Sequence, residues 1–124
     1  MGSDEKPWVY IVVRGQVVPK ERPRFYKGRT YTGKRTTTYE SLVRSLMVAE
    51  RPKGWPMDAR YAVGITINPR DARRFDVDNA AKSILDAGNG ALWRDDSSVD
   101  DLHVIRSANK WGADAHVTIT VSVL

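Results

Sequence analysis

Two segments of alternating apolar and polar residues constrain the fold of this 124-residue chain more than any other feature. In Tyr61–Asn68 every second residue is an aromatic or β-branched apolar residue, and Pro69 follows directly. In His116–Val123 the odd-numbered positions are all valine or isoleucine, with polar residues between them. Side chains of a strand point alternately to the two faces of a sheet, so both segments predict strands with one buried face. The chain must therefore place other elements over one face of a sheet.

Two segments with helical spacing can cover that face. Apolar residues recur at helical intervals from Tyr39 to Arg51, with Thr38 as the predicted N-cap and Pro52 after the last turn. A second helix is predicted from Asp78 to Ala87, and the sequence Gly-Asn-Gly that follows is typical of a helix end.

Further strands are predicted at residues 8–13 and 102–109, where β-branched and aromatic side chains are frequent. The polar segment 16–38 predicts an extended loop with a small hairpin. The order β-loop-α-β-α-β-β predicts an α+β fold. We expect a single small domain over residues 1–124, with a mixed β-sheet, two main helices packed on it and a flexible N-terminus at residues 1–7.

The absence of cysteine excludes several classes of site. Disulfides, zinc-thiolate centres, iron–sulfur clusters and cysteine nucleophiles all require a residue that this chain lacks. The presence of only two histidines argues against a histidine-rich metal centre. The apolar runs are much shorter than a membrane-spanning helix requires, so we expect a soluble, intracellular domain and no membrane partner.

The charges of the chain are separated into a basic and an acidic segment. The net charge is +5 and the isoelectric point about 9.7, which favours a polyanionic partner. Residues 14–53 contain eleven basic and three acidic residues, whereas residues 76–101 contain seven acidic and two basic ones. Candidates for contacts to DNA phosphates are Lys20, Arg22, Arg24, Lys27, Arg29, Lys34 and Arg35 in the basic segment, and Arg74 just before the acidic one.

Two aspartate pairs in the acidic segment have two possible explanations. Asp76 and Asp78 flank the start of the second predicted helix, with Lys82 four residues after Asp78, and Asp95 and Asp96 are adjacent. Aspartate is a favoured helix N-cap, and an Asp–Lys pair at this spacing is common on helix surfaces. Alternatively, the four carboxylates hold divalent cations such as Mg²⁺, because hard cations prefer oxygen ligands. Two such ions about 3.5–4 Å apart can promote phosphodiester hydrolysis by activating a water and stabilising the leaving oxygen, and Lys82 would add positive charge near the phosphate.

These explanations correspond to two classes of protein. If the aspartates are only helix caps, the chain is a non-catalytic basic nucleic-acid-binding module. If they bind metal, the chain is a nuclease in which the basic segment holds DNA and the acidic segment cuts it. A domain that only binds DNA has no use for a concentrated acidic segment, which would repel phosphate.

An ordered set of motifs resembles the RusA family of Holliday junction resolvases, and the resemblance covers about residues 15–106. The motifs are Asp76-Val77-Asp78-Asn79-x-x-Lys82, Leu85-Asp86-Ala87 and Trp93-x-Asp95-Asp96, preceded by Val18-Pro19-Lys20-Glu21-Arg22-Pro23-Arg24-Phe25, Tyr31-Thr32 and Tyr39-Glu40. Four positions depart from the family pattern. Ala80 replaces a usual leucine and Gly88 replaces a larger apolar residue, while Phe75 stands at a position that is basic in some relatives and Arg106 stands where a lysine is frequent. The glycine suggests that the second helix ends early.

The resemblance implies a homodimeric, Mg²⁺-dependent endonuclease that cuts four-way DNA junctions by paired symmetric nicks, with Mn²⁺ as a possible substitute and no small-molecule cofactor. Carried over by position, Asp76, Asp78 and Asp96 are the essential metal-binding carboxylates. Asp95 is a supporting one, and Lys82 is the catalytic cation. Such enzymes act in the cytoplasm of bacterial or phage-infected cells. The same chemistry on other branched DNA, such as flaps or forks, is not separated from this by any motif.

Overall fold

The computed structural model describes residues 6–21, 24–26, 29–31, 33–72, 74–107 and 114–124, and the side chains of residues 22–32 lie outside that description. The elements in chain order are β1 (Trp8–Arg14), β2 (Arg24–Tyr26), β3 (Arg29–Tyr31), α1 (Lys34–Glu50), β4 (Tyr61–Asn68), α2 (Val77–Gly88), a 3₁₀ turn (Asp96–Ser98), β5 (Val99–Arg106) and β6 (His116–Val123).

The main sheet is four-stranded and mixed, in the order β1-β6-β4-β5. Strand β6 pairs antiparallel with β1 and β4, and β4 pairs parallel with β5. Strands β2 and β3 form a separate antiparallel ladder, which confirms the small hairpin predicted in the polar segment. A mixed sheet with two helices confirms the predicted α+β class. The strand order could not be read from the sequence.

One face of the sheet is buried under α1 and α2. The alternation in β4 and β6 is observed as predicted, since Val63, Ile65, Val117 and Ile119 are almost completely buried. They pack in one core with residues of both helices, which include Val43, Met47, Ala80 and Ile84. Burial of this apolar surface is the main stabilising contribution to the fold.

The opposite face of the sheet has no helix over it among the described residues. Strand β1 presents Trp8 and Tyr10 there, each about half exposed, and Ile105 of β5 is 58% exposed. On this face, the central strand β4 carries small residues, including Ala62 and Gly64, and lies between the outer strands β1 and β5.

Helix α1 starts four residues before the predicted N-cap, so that predicted boundary was wrong. The physical reason is a tertiary contact made by a threonine in the first turn, which the polar sequence of that turn does not indicate. Thr36 is completely buried, and its hydroxyl donates to the Pro19 carbonyl at 3.3 Å and accepts from the Glu21 N–H at 3.2 Å. The first turn of α1 is therefore fixed by the segment before β2.

The other boundaries differ less from the predicted ones. Helix α2 extends through Gly88, so it does not end early, and a Cβ at that position would lie 2.3 Å from Trp93 Cζ2. The buried Trp93 ring therefore occupies the space that a larger residue would need. Strand β5 starts at Val99, earlier than predicted, because Val99 pairs with Tyr61.

Of the predicted flexible N-terminus, residues 1–5 lie outside the described residues, and the Pro7 carbonyl accepts a hydrogen bond from Val123 N at 3.0 Å. Within the described ranges, neither helix combines the length and the apolar character needed to cross a membrane.

Candidate functional site

An open cleft of about 770 Å³ lies at the N-terminal end of α2. Its lining brings together two distant parts of the chain, because Asp96 comes from the 3₁₀ turn and the other polar groups come from α2 and the residue before it. The polar lining is Asp76, Asp78, Lys82 and Asp96, and the apolar lining is Phe75, Val77, Ala81, Leu85, Leu102 and Val104. Three predicted metal-binding aspartates and the predicted catalytic lysine thus line one cleft.

The amphipathic pattern of α2 directs these polar side chains outward. Ala80, Ala81 and Ile84 are buried against the sheet. Asp78 and Lys82 are four residues apart and exposed, which places them on the same side of the helix. The sequence of α2 therefore determines which of its residues reach the cleft.

Asp76 occupies the N-cap position of α2, but its carboxylate does not cap the helix. Asp76 Oδ2 accepts a hydrogen bond from the side-chain amide of Asn79 at 3.0 Å. Asp78 Oδ1 accepts from the Asn79 N–H at 3.0 Å. For Asp76, the helix-cap explanation considered from the sequence does not describe the observed contacts.

Asp95 differs from its neighbour Asp96. Its carboxylate caps the 3₁₀ turn by accepting from Ser97 N at 3.0 Å, and it is not among the residues that line the cleft. Hydrogen bonds from the side chain and the backbone of Ser97 hold the pKa of Asp95 below its usual value. The capping explanation therefore fits Asp95, whereas Asp96 lines the cleft.

The three cleft aspartates lack a counter-charge within the described part of the chain. No lysine, arginine or histidine described there lies within 4.0 Å of the carboxylate of Asp76, Asp78 or Asp96. Other acidic residues are paired: Asp58 with Arg94, Asp86 with Lys20, and Asp100 with Arg60. The cleft thus holds three carboxylates and one ammonium, that of Lys82, with no close ion pair to any of the three, and this excess of negative charge favours binding of a cation.

The predicted DNA-binding residues have different environments. Lys34, Arg35 and Arg74 are exposed. Lys20 is instead paired within the protein, with its Nζ 2.7 Å from Glu40 Oε1 and 2.9 Å from Asp86 Oδ2. Burial lowers the pKa of Lys20, but hydrogen bonds and charges from Glu40 and Asp86 raise it above its usual value. Arg22 and Lys27 lie outside the described residues, and for Arg24 and Arg29 only the strand backbone is described.

Two further residues of the basic segment form hydrogen bonds within the protein. Arg44 donates from Nε and Nη2 to the carbonyls of Ala87 and Asp86, at the C-terminal end of α2. Arg51 Nη1 donates to the Ala91 carbonyl at 2.6 Å. Both side chains satisfy carbonyl groups near the end of α2, so they contribute less to a DNA-binding surface than the charge count suggested.

The sequence did not identify the apolar wall of the cleft. Phe75, Leu102 and Val104 line it, and the guanidinium of Arg106 lies 4.8 Å from the centre of the Phe75 ring. Leu102 and Val104 belong to β5, whose position beside β4 could not be predicted. The alternation within β5 is the only sequence signal for their direction.

The donor chemistry of the cleft fits a divalent metal. All three carboxylates offer oxygen ligands, which Mg²⁺ and Mn²⁺ prefer. Among the described residues, no three His, Asp or Glu side chains are already close enough together to hold an ion. An ion held by all three cleft aspartates would therefore require their carboxylates to move closer together, whereas Mg²⁺ commonly binds through one or two carboxylates and water.

Comparison with known protein families identifies one match. The model of the family described as Endodeoxyribonuclease RusA matches residues 14–122, which is nearly the whole chain. The match includes both helices and all strands from β2 to β5, and every residue that lines the cleft. No curated protein matches the chain.

Proposed function

The chain belongs to the RusA family of endodeoxyribonucleases, which are Holliday junction resolvases, and on this premise we propose that it cuts four-way DNA junctions by paired symmetric nicks in a Mg²⁺-dependent reaction. Enzymes of this family depend on a divalent metal. Family membership argues against the alternative of a non-catalytic nucleic-acid-binding module.

One observation carries the assignment of the cutting site. Asp76, Asp78 and Asp96 line one cleft, and none of them forms an ion pair within 4.0 Å with a cation of the described residues. Free carboxylates close to DNA phosphates would weaken binding unless a cation lies between them. The unpaired carboxylates therefore support a metal site better than they support a surface that only binds DNA.

We assign the metal to Asp76, Asp78 and Asp96. When bound, one or two divalent ions supply Lewis-acid chemistry that activates the attacking water and stabilises negative charge on the phosphate. Asp95, which the sequence also placed in the metal set, would act indirectly by fixing the turn that carries Asp96. The Asn79 amide would hold Asp76 in orientation through its 3.0 Å hydrogen bond.

Lys82 supplies the positive charge that the protein itself brings to the reaction. Its side chain is 57% exposed and lines the cleft with the aspartates. From there its ammonium can donate a hydrogen bond to a non-bridging oxygen of the scissile phosphate, where negative charge increases in the transition state. Phe75, Leu102 and Val104 form the apolar wall of the same cleft.

The exposed cations Lys34, Arg35 and Arg74 would neutralise neighbouring phosphates, together with Arg22, Arg24, Lys27 and Arg29. We propose no small-molecule cofactor. We propose that the protein acts in the cytoplasm of bacterial or phage-infected cells, a location that agrees with a DNA substrate.

Symmetric nicking requires two cutting sites, so we propose a homodimer. The uncovered face of the sheet is the surface that we assign to the dimer contact. It combines exposed aromatic side chains on β1 with small residues on β4, a surface that can pair with a second copy related by a two-fold axis. The exposed Leu42 and Val48 of α1 are a smaller alternative.

A nicking assay tests this function. A labelled four-way junction and a linear duplex of matched sequence are incubated with the protein in Mg²⁺, in Mn²⁺ and in EDTA, with the Asp78→Asn variant as control. We expect paired nicks on the junction alone, in either metal, and no cleavage by Asp78→Asn despite retained binding. Cleavage of flaps or forks in preference to the junction would contradict the proposed substrate. Unchanged cleavage by Asp78→Asn would contradict the assignment of Asp78 as a metal ligand.

A further inference from the structure

The start of the basic segment is attached to both helices. The Lys20 N–H donates to the Asn79 carbonyl in the first turns of α2 at 2.8 Å. The residues on either side of Lys20 bond to the buried hydroxyl of Thr36 in α1. The backbone at Lys20 therefore has a fixed position beside the helix that carries the cleft residues.

The Lys20 side chain reaches the same helix two turns further along. Its ammonium contacts Glu40 and Asp86, and the three side chains are only 17%, 14% and 18% exposed. Charges with so little exposure are screened by water less than surface pairs are. Asp86 Oδ1, the second oxygen of that carboxylate, lies 3.9 Å from the ammonium of Lys82. Lys20 and Lys82 thus share one carboxylate, with Lys20 much closer to it.

We propose that Lys20 is a positioning residue that keeps Lys82 available to the DNA phosphate, an inference that rests on the function proposed above. The positive charge of Lys20, which Glu40 and Asp86 share, offsets part of the attraction of Asp86 for Lys82. Without Lys20, the i,i+4 spacing allows Asp86 and Lys82 to form a close pair. That pair would draw the Lys82 ammonium along α2 and reduce the positive charge at the cleft.

This role differs from the phosphate contact that the sequence suggested for Lys20. An ammonium that already holds two carboxylates would have to break both contacts to bind DNA. The two roles also predict different kinetic effects. Loss of a phosphate contact raises Kd, whereas loss of positioning lowers the rate of the bound complex.

A double-mutant cycle tests the proposal. The single-turnover nicking rate at saturating protein and the Kd for a four-way junction are measured for the wild-type protein, Lys20→Met, Asp86→Asn and the double variant. We expect Lys20→Met to lower the rate about tenfold at nearly unchanged Kd. We expect the double variant to recover most of that loss, because the neutral amide introduced by Asp86→Asn cannot form an ion pair with Lys82. Lys34→Met, which removes an exposed cation of the same segment, is the comparison for a lost phosphate contact and should raise Kd.

Two results would overturn the proposal. A Lys20→Met variant that raises Kd as Lys34→Met does, at an unchanged rate, would make Lys20 a DNA contact. A double variant as slow as Lys20→Met would leave Lys20 with a purely structural role.

Glu40→Gln provides an independent measurement if Lys20→Met does not fold. It leaves Lys20 paired with Asp86 alone, so its rate should not fall, and a tenfold loss in this variant would also contradict the proposal. No nicking by the wild-type protein in any metal would instead contradict the function on which the proposal rests.

Discussion

At the scale of single residues, the carboxylates of this chain differ in whether an ion pair or a capping hydrogen bond stabilises their negative charge. Asp58 and Asp100 are each paired with an arginine that holds the pKa of the carboxyl below its usual value. Asp95 is satisfied by the turn that it caps. The aspartates of the cleft have neither kind of partner in the described structure. The lack of an ion pair and of a capping contact, more than the number of acidic residues, distinguishes a candidate metal ligand.

The Lys82→Ala variant separates the role of this lysine in catalysis from a role in binding. We expect the single-turnover nicking rate to fall about 10²-fold or more, because a positive charge next to the developing negative charge is lost. The Kd for the junction should change little, because one contact among many phosphate contacts is removed. A change confined to Kd would reduce Lys82 to a simple DNA contact.

Much of the candidate site could be predicted at this scale. Helical spacing places Asp78 and Lys82 together with Asp76 just before the helix, the clustering of aspartates adds Asp95 and Asp96, and the resemblance to the RusA family ranks Asp96 above Asp95. The internal pairing of Lys20 could not be predicted, because its partners are twenty and sixty-six residues away in sequence. A charge count cannot distinguish a lysine that binds phosphate from one that forms ion pairs with carboxylates on two helices.

At the scale of secondary-structure elements, α1 illustrates where sequence reasoning fails. Strand β6 and helix α2 follow closely from their local patterns, since their side chains alternate or repeat in clear register with burial. The first turn of α1 has no apolar residue to reveal its buried side. Its position depends on the hydrogen bonds of Thr36 to the segment before β2, which no local pattern encodes.

The Thr36→Val variant tests the role of that contact. It removes the hydroxyl and leaves the Pro19 carbonyl and the Glu21 N–H without this partner, so we expect a loss of about 1–3 kcal/mol in the free energy of unfolding. Thr37→Val is the matched control, because Thr37 is the exposed neighbour and its hydroxyl bonds to the Gly33 carbonyl at the start of the same helix. Equal stabilities of the two variants in urea denaturation would contradict the importance assigned to the contact.

At the scale of the whole molecule, the sheet separates the cleft from the surface that we propose for a dimer. Its covered face packs against both helices, of which α2 lines the cleft, and its uncovered face carries the aromatic side chains of β1. The pairing of the N-terminal strand β1 with the C-terminal strand β6 joins the two ends of the described chain on this sheet. The surface assigned to the dimer is thus on the opposite side of the sheet from the helices.

The double substitution Trp8→Ser and Tyr10→Ser tests the dimer surface. Both residues are about half exposed, so their loss should cost little in the fold of a single copy while it removes apolar area from the contact. We expect light scattering to show a dimer for the wild-type protein and a monomer for the variant. Leu42→Ser, on the exposed side of α1, should leave the dimer intact, and the reverse pattern would move the interface to that helix.

The most direct test of the central claim compares two adjacent aspartates. Asp96→Asn removes a carboxylate of the cleft, whereas Asp95→Asn changes the cap of the same turn to another residue that caps well. Single-turnover nicking of a four-way junction in Mg²⁺ is measured for both variants beside the wild-type protein. We expect Asp96→Asn to abolish nicking and Asp95→Asn to retain most of it. Equal loss in both variants, or retained nicking by Asp96→Asn, would contradict the claim that the unpaired carboxylates of this cleft form the cutting site.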